Sequence, residues 1–381
     1  MAISSFQVFT KVIHGAGRRN VIPNEVNAIG GTKVLLVSDE GLKKAGIVDL
    51  VAKPLQDANI PFIEFTNVEE DPSTLTVAKG VEYAKAYNPD VLVICGGGSA
   101  ICAGKGIALV LSNGGKLDDY AVGTHKVPPL PMIVLPTTAG SGAEVAPRFL
   151  IKDPETDVKR RFGGNNCYPR VAILDPELLL RLPPRAAVGA SMDALCHAIE
   201  AYTATEANEF TDTLALKAIG YLKRYTGAAA FTNSLEAREK VLIASTMANM
   251  ACGNAKLGLV HGLTYGHLPV PHGMANGIIL PYVLNYLLPA CEEKLAEIAA
   301  VMGIPSTGYV YGDAKRLIEV IQEWSKGLGV PANLKEIGVK EEELEELVNV
   351  SMKQVQHLDT SLRPAKRKDI EEIFRHAYFG E

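Results

Sequence analysis

The stretch Val91-Leu-Val-Ile-Cys-Gly-Gly-Gly-Ser99 decides the fold of this chain. Its opening run is wholly apolar, which is typical of a short strand buried on both faces of a parallel sheet. The glycines that follow let backbone N–H groups approach a phosphate, and the helix predicted to begin there adds positive partial charge. The stretch therefore predicts a strand, a phosphate-binding loop and a helix. The simpler alternative is a tight turn between strand and helix.

Strands and helices alternate on both sides of this stretch. Apolar runs predict further strands at residues 33–37, 61–65 and 132–135, and helical spacing occurs at 49–59, 74–87 and from the glycines to about residue 111. This rhythm predicts βαβ units, and so an N-terminal α/β dinucleotide-binding domain with a parallel sheet over residues 1–180.

The pattern of apolar residues changes after Asp175. Strand-like runs nearly disappear there, and the pair Pro183-Pro184 interrupts the chain. Helical spacing dominates the second half, at residues 191–204, 212–225, 235–252, 295–301, 313–328, 341–354 and 369–378. We therefore predict an all-α C-terminal domain over residues 181–381.

Composition limits the function classes. The chain has 381 residues, 47% hydrophobic and 21% charged, which is enough for two globular domains. A net charge of -5 makes nucleic acid an unexpected partner. The N-terminus lacks the pattern of a signal peptide, and no apolar run approaches the ~20 residues of a membrane span. Six scattered cysteines without a Cys-x-x-Cys pair predict a reducing cytoplasm and no thiolate zinc site.

A second loop follows the strand at 132–135. Thr137, Thr138 and Ser141 present hydroxyl groups there, at the same sheet edge as the glycine loop. Two such loops on neighbouring strand ends predict a nucleotide crevice. Asp39 ends the first core strand, where a carboxylate can accept a hydrogen bond from a ribose 2′-OH and repel a 2′-phosphate. The alternative for Asp39 is a solvated carboxylate without such a role.

Histidines cluster in one short stretch, which contains His261, His267 and His272 between glycines and prolines that break regular structure. Upstream, Asp193 and His197 have i, i+4 spacing on a predicted helix, so both side chains leave the same face. With His261 and His272 they form a set of three imidazoles and one carboxylate, suited to Fe(II), Zn(II) or Mn(II). The simpler alternatives are polar loop residues and a plain Asp–His helix pair.

Several long motifs, in the same order, resemble the iron-dependent (group III) alcohol dehydrogenase family. They are Gly96-Gly-Gly-Ser99, Pro136-Thr-Thr-Ala-Gly-Ser-Gly-Ala-Glu144, Ala172-Ile-Leu-Asp-Pro-Glu177, Met192-Asp-Ala-Leu-Cys-His-Ala-Ile-Glu-Ala-Tyr202 and Pro271-His-Gly-Met-Ala-Asn276. The resemblance covers nearly the whole chain. It implies a dinucleotide-binding α/β domain, an all-helical metal domain, and hydride transfer between NAD(H) and a small alcohol or aldehyde.

Carried over by position, the resemblance assigns residues to three groups. The implied metal ligands are Asp193, His197, His261 and His272. The implied cofactor residues are Gly97, Gly98 and Ser99 at the pyrophosphate, Thr137, Thr138 and Ser141 near the nicotinamide, Lys159, and Asp39 where NAD-preferring members carry aspartate. We therefore expect NAD ahead of NADP, Fe(II) ahead of Zn(II), and a homodimer or larger homo-oligomer.

Three departures from the family pattern bear on the chemistry. Cys102 stands where the family usually has aspartate, and Tyr265 stands where it usually has a histidine near the nicotinamide. The segment between His261 and His272 is also shorter than in the family. Either Tyr265 or His267 is therefore the candidate catalytic group that passes the proton to water.

Arg148 suggests a finer substrate class. It follows the threonine loop at a family position near the active-site cleft, where a guanidinium favours a substrate with an anionic head group. The alternative is a salt bridge to Glu144. We predict a metal-dependent alcohol dehydrogenase or aldehyde reductase; the alternatives are a dehydroquinate-synthase-like lyase that uses NAD, and a non-catalytic protein that binds metal and nucleotide.

Overall fold

The computed structural model of the protein describes residues 5–120, 122–156, 158–265 and 268–380. The chain forms two compact units, one of residues 8–182 and one of residues 183–380 together with residues 5–7. Residues 5–7 thus group with the helical unit. The cause is a pair of hydrogen bonds, from the Gln7 N–H to Asn254 Oδ1 at 2.8 Å and from Asn254 Nδ2 to the Gln7 carbonyl at 3.2 Å.

The first unit is built on a parallel sheet. Within the described residues its strands are β1 (Lys11–His14), β2 (Val34–Val37), β3 (Phe62–Phe65), β4 (Val91–Gly96), β5 (Met132–Pro136) and β8 (Val171–Leu174), in the spatial order β1-β8-β5-β4-β2-β3. All residues of β2, β4, β5 and β8 are buried, because helices cover both faces of the sheet. The order reverses between β2 and β4, which is where open parallel sheets bind their ligands.

Helices and an antiparallel pair complete this unit. The helices are α1 (Ile22–Ala28), α2 (Glu40–Lys44), α3 (Ile47–Asp57), α4 (Thr74–Lys85) and α5 (Gly98–Asn113), and the pair is β6 (Arg148–Lys152) with β7 (Lys159–Gly163). The sequence patterns did not predict β1, β8 or this pair. β1 lies at the sheet edge and is only partly buried, so its sequence carries no apolar run.

The second unit is helical, as predicted. Its helices within the described residues are α6 (Pro184–Tyr202), α7 (Glu209–Phe231), α8 (Leu235–Ala255), α9 (Leu259–Thr264), α10 (His272–Val301), α11 (Val310–Gly327), α12 (Leu344–Ser351), α13 (Val355–Leu358) and α14 (Arg367–Phe379). α6 begins with Pro184 at a position where the missing N–H costs nothing, and it is buried along most of its length.

The histidine stretch is more regular than predicted. His261 lies inside α9 and His272 is the first residue of α10, so the expected irregular segment is confined to residues between them. α10 contains Pro281 and Pro289 and has a non-helical backbone at Cys291. By length and composition α10 is apolar enough to cross a membrane, contrary to the expectation that no run is, but its apolar window is 78% buried within the protein, as in a core helix.

Candidate functional site

The predicted metal ligands come together in the helical unit. Asp193 Oδ1 lies 3.9 Å from His197 Nε2, 3.4 Å from His261 Nε2 and 3.7 Å from His272 Nε2. The first three side chains are buried and each offers a ligand atom within 4.8 Å of the others. The rings of His197 and His261 stack with centroids 4.6 Å apart. One carboxylate and three imidazole nitrogens therefore face a common centre.

A close approach of two helices places His272 in this group. Gly273, in the first turn of α10, packs against the backbone of Gly189 on α6 so tightly that a Cβ there would lie 2.1 Å from the Gly189 carbonyl oxygen. The same Cβ would lie 3.1 Å from Cβ of Asp193. Only glycine allows this approach, because backbone cannot retreat as a flexible side chain can.

The amide of Asn276 marks the point on which the ligand atoms converge. Asn276 is fully buried on α10, and its Nδ2 donates to Asp193 Oδ1 at 2.8 Å. The same nitrogen lies 3.3 Å from Nε2 of both His261 and His272. An electropositive group is thus surrounded by the atoms expected to hold a cation. A nitrogen–oxygen donor set without sulfur fits Fe(II) or Zn(II).

The electrostatics of the group favour positive charge at its centre. Burial alone would raise the pKa of Asp193, but the imidazoles of His197, His261 and His272 hold it well below its usual range. Burial would also lower the pKa of His261, but the carboxylates of Glu200 and Asp193 together raise it to about 10. Two buried carboxylates therefore stabilise a cation at this place, whether it is a proton or a metal ion.

Glu200 and His357 also lie at the group, and neither was predicted from sequence. Glu200 is 3% exposed and its Oε2 lies 2.6 Å from Nδ1 of His261. The spacing of Glu200 in the sequence could have identified it, because a residue seven positions after Asp193 lies on the same face of a helix. His357, in α13, is also buried, and its ring stacks on Tyr265 with centroids 5.3 Å apart. No sequence pattern marked His357, because stacking across distant segments is visible only in the fold.

Tyr265 lies beside the candidate metal group. Its ring centroid is 6.0 Å from that of His272 on one side, and His357 stacks on it on the other. The family histidine is thus replaced by an aromatic ring held between two imidazoles. The other candidate relay, His267, lies outside the described residues.

The predicted cofactor loops meet at the carboxyl edge of the sheet in the first unit. The Thr137 N–H donates to the Gly96 carbonyl at 3.1 Å, which joins the ends of β5 and β4. A Cβ on Gly97 would lie 3.3 Å from the Thr138 side chain, and one on Gly98 would lie 3.3 Å from Ser141. The glycine and hydroxyl loops are therefore neighbours, and Gly98 begins α5, whose amino terminus favours a phosphate.

Asp39 and Lys159 flank these loops with partners of their own. Asp39 follows β2 and caps α2, accepting a hydrogen bond from the Leu42 N–H at 2.9 Å. Lys159 Nζ lies 2.6 Å from Asp71 Oδ1, and the Asp71 N–H donates to Ser99 Oγ at 3.3 Å. Lys159 is thereby linked through Asp71 to the glycine loop.

Arg148 lines a cleft of about 520 Å³ in the same unit. The other lining residues are Val122, Gly123, Gly164, Asn165 and Asn166. Arg148 is exposed at the start of β6. The cleft therefore offers a guanidinium and two side-chain amides, with no carboxylate among these lining residues.

Cys102 and Lys105 occupy adjacent turns of α5. Lys105 is fully buried, and its Nζ donates to the carbonyl oxygens of Ala143 and Ala146, each at 2.6 Å. Burial lowers the pKa of Lys105 to about 8, opposed in part by the Glu144 carboxylate. Burial also raises the pKa of the Cys102 thiol, so it is neutral at pH 7. The two hydrogen bonds of Lys105 therefore join α5 to the segment at Ala143 and Ala146. Cys102, which stands where the family usually has aspartate, adds no negative charge beside it.

A doubly wound sheet with paired glycine and hydroxyl loops, followed by a helical carboxylate–imidazole centre, is typical of metal-dependent dehydrogenases. The sequence model of iron-containing alcohol dehydrogenases matches residues 10–176, and that of the C-terminal part of the Fe-containing alcohol dehydrogenase family matches residues 187–378. The chain is 36% identical over 372 residues to 1,3-propanediol dehydrogenase of Citrobacter freundii, covering 96% of each. It is 34% identical over 381 residues to the NAD-dependent methanol dehydrogenase of Bacillus methanolicus, covering 98% of this chain and all of the relative. The crystal structure of a 1,3-propanediol oxidoreductase matches with a TM-score of 0.95 at 34% identity, over 99% of this chain and 100% of that one.

The chain belongs to the iron-containing alcohol dehydrogenase family. It is an alcohol dehydrogenase that acts on CH–OH groups, and the cofactors are those of the family, a nicotinamide dinucleotide and a divalent metal ion. The predicted family and fold class are confirmed. The lyase and the non-catalytic protein are not favoured, because the relatives are dehydrogenases.

Proposed function

We propose that the protein interconverts a small alcohol and its aldehyde with NAD(H), at a divalent cation held by Asp193, His197, His261 and His272. The convergence of donor atoms on Asn276 Nδ2 carries this proposal, because one point is reached by atoms from three different helices. A cation bound there would supply Lewis-acid polarisation of the alcohol or carbonyl oxygen.

The surrounding residues hold this arrangement. The Thr264 hydroxyl lies 2.5 Å from Asn276 Oδ1, which orients the amide so that its nitrogen faces Asp193. Burial of Asp193 and His261 keeps water from competing for the ligand atoms. Tyr265 is the proposed group that takes the alcohol proton toward water, and its sandwich between His272 and His357 fixes the plane of its ring. A nicotinamide dinucleotide bound at the glycine and hydroxyl loops would supply the group that accepts or donates the hydride.

The glycine loop and Asp39 are proposed to bind NAD in preference to NADP. Asp39 and Gly97 follow β2 and β4, the two strands between which the order of the sheet reverses. A pyrophosphate at Gly97 and Gly98 would leave the adenosine ribose toward Asp39, whose carboxylate accepts from a 2′-OH and repels a 2′-phosphate. Thr137, Thr138, Ser141 and Lys159 complete the proposed cofactor set. The Bacillus methanolicus relative carries the same cofactor in its name.

Arg148 supports a substrate with an anionic head group. The cleft lined by Arg148, Asn165 and Asn166 offers hydrogen-bond donors that suit a carboxylate, phosphonate or sulfonate. The two relatives above are named for uncharged diols and methanol, so this would be a specialisation of the present chain. A cytoplasmic location and a homodimer or larger homo-oligomer also stay predictions.

The proposed ligand set is tested by metal content and turnover together. Protein purified without air is stripped of metal and reconstituted with Fe(II) or Zn(II), and NADH formation with a primary alcohol is followed by absorbance. We expect His272→Ala to lose bound cation and activity together, because one of the facing nitrogens is removed. Full metal content in His272→Ala would refute the assignment.

A further inference from the structure

Glu200 makes two contacts with one candidate metal ligand. Its Oε2 lies 2.6 Å from Nδ1 of His261, and its Oε1 accepts a hydrogen bond from the backbone N–H of His261 at 3.2 Å. Both partners are almost fully buried, with 3% of Glu200 and 1% of His261 exposed. A buried carboxylate with these bonds is tightly held, because no water competes for either oxygen.

The position of Glu200 on α6 places it on the opposite side of the His261 ring from Asp193. It lies on the same face of α6 as Asp193, so a single helix presents one carboxylate to each side of the His261 ring. His261 is the third residue of α9, where a backbone N–H has no partner within its own helix. Glu200 accepts hydrogen bonds from that backbone N–H and from the ring N–H, so the ring of His261 is held in a fixed orientation relative to its backbone.

The two ring nitrogens of His261 therefore have different tasks. An imidazole that donates its Nδ1 proton to Glu200 carries its free lone pair on Nε2. Nε2 is the atom that lies 3.4 Å from Asp193 Oδ1 and 3.3 Å from Asn276 Nδ2. Carboxylate–imidazole–metal chains of this kind orient the ring and increase its basicity as a ligand.

We propose that Glu200 is a positioning residue of the metal centre, which holds His261 in the tautomer and orientation that present Nε2 to the cation. Glu200 also adds a second buried negative charge to that of Asp193. The two carboxylates together balance the two positive charges of a divalent cation. This inference rests on the proposed ligand set, since it assumes that His261 is a ligand.

A purely structural role is the competing explanation, in which Glu200 only caps α9. The two explanations differ in what the variant Glu200→Gln loses. A cap affects the free energy of unfolding, whereas a positioning residue affects cation affinity in protein that is still folded. Asp313→Asn is the matched control, because Asp313 is a buried carboxylate of the same unit whose side chain accepts hydrogen bonds from Ser306 and Thr307, away from the candidate metal ligands.

The experiment measures the Kd of the metal-free protein for Co²⁺ by competition with a chelator, with the visible absorption of bound Co²⁺ as a second readout. We expect Glu200→Gln to bind Co²⁺ about 10- to 100-fold more weakly than the wild type, with an altered spectrum. Asp313→Asn should keep the wild-type Kd and spectrum. NADH binding, followed by fluorescence, should be unchanged in both variants.

A second variant decides the question if Glu200→Gln does not fold. A Cβ on Gly258 would lie 3.3 Å from Cγ and Cδ of Glu200, so Gly258→Ala should displace the carboxylate slightly and weaken Co²⁺ binding by a smaller factor. A wild-type Kd in folded Glu200→Gln, or in Gly258→Ala where the first variant fails, overturns the role of Glu200. His261→Ala separates the two proposals: if it retains Co²⁺ with the wild-type Kd, the ligand set itself is wrong.

Discussion

Gly273 and Gly189 meet backbone to backbone where α10 begins beside α6. A Cβ on Gly273 would lie 2.1 Å from the Gly189 carbonyl oxygen and 2.7 Å from its carbonyl carbon. We expect Gly273→Ala to force the first turn of α10 away and carry His272 out of reach of Asp193. Bound metal and thermal stability should fall together, and metal analysis with circular dichroism would measure both.

The control for this variant is Gly253→Ala on α8. An added Cβ there would meet nothing closer than Asn249 Oδ1 at 4.0 Å. Since alanine costs less than glycine inside a helix, this substitution should leave stability unchanged or raise it by about 0.5–1 kcal/mol. Wild-type metal content in Gly273→Ala would show that the close approach does not position His272.

Asp39 is expected to select the cofactor by charge. Asp39→Asn keeps a side-chain oxygen that can cap α2 at the Leu42 N–H but removes the charge that repels a 2′-phosphate. We expect kcat/KM for NADP to rise by at least ten-fold relative to that for NAD. Asp39→Gly removes the charge and the cap, so agreement between the two variants would assign the effect to charge. An unchanged NAD/NADP ratio in both would place selection elsewhere.

Arg148 is expected to recognise the head group of the substrate. Loss of a charge-assisted hydrogen bond of about 1.5–3 kcal/mol corresponds to a fall of about 10- to 150-fold in kcat/KM. We expect this fall for Arg148→Ala with an aldehyde that bears a carboxylate or sulfonate, and little change with a neutral aldehyde of equal length. Arg148→Lys should recover part of the loss, because it keeps the charge but not the planar fork. Equal losses on both aldehydes would refute the anionic substrate.

Tyr265→Phe tests the proton relay without disturbing the stack. Phenylalanine keeps the aromatic ring between His272 and His357 and removes only the hydroxyl. We expect kcat to fall on the order of 100-fold while bound metal is unchanged. Tyr265→Ala, which also removes the stack, should reduce stability as well. If the phenylalanine variant keeps the wild-type kcat, His267 becomes the remaining candidate relay.

Lys105 should give the stability an unusual dependence on pH. Its folded pKa of about 8 lies below the unfolded value of 10.5, because burial disfavours the charged form. The folded protein therefore binds fewer protons between these values, and the contribution of Lys105 to stability rises as pH increases from about 8 to 10.5. Urea titrations of wild type and Lys105→Met should diverge across this range, with the wild type gaining. A constant or shrinking difference would contradict the low pKa.

The strands β2 to β5 and the helical second half followed from sequence because each rests on a local pattern of apolar residues, whereas the equally apolar β8 was not predicted. β2, β4 and β5 are wholly buried, so their sequences are continuous apolar runs, whereas the edge strand β1 needs only two apolar residues and leaves no such mark. At the candidate metal site, too, the part that could be predicted is the part marked by a local sequence pattern. The spacing of Asp193 and His197 brought those two side chains to one helix face, and the structure places them together.

The parts that sequence did not reveal depend on contacts between distant segments. Glu200 shares a helix face with Asp193, but its role appears only when α9 brings His261 against it. The position of His272 depends on the backbone contact of Gly273 with Gly189, and a glycine in a sequence does not say which backbone it meets. His357 needs α13 to pack on Tyr265.

Every candidate metal ligand lies between residues 183 and 380, and every candidate cofactor residue lies between residues 8 and 182. A single substitution can therefore affect cofactor binding or metal binding without changing a residue of the other set. On the proposed roles, a substitution at Asp39 would change the preference between NAD and NADP and leave the candidate metal ligands in place, whereas a substitution at Glu200 would change cation affinity and leave the candidate cofactor residues in place. On these proposals, cofactor preference and cation affinity are set by separate parts of the chain and can be changed independently.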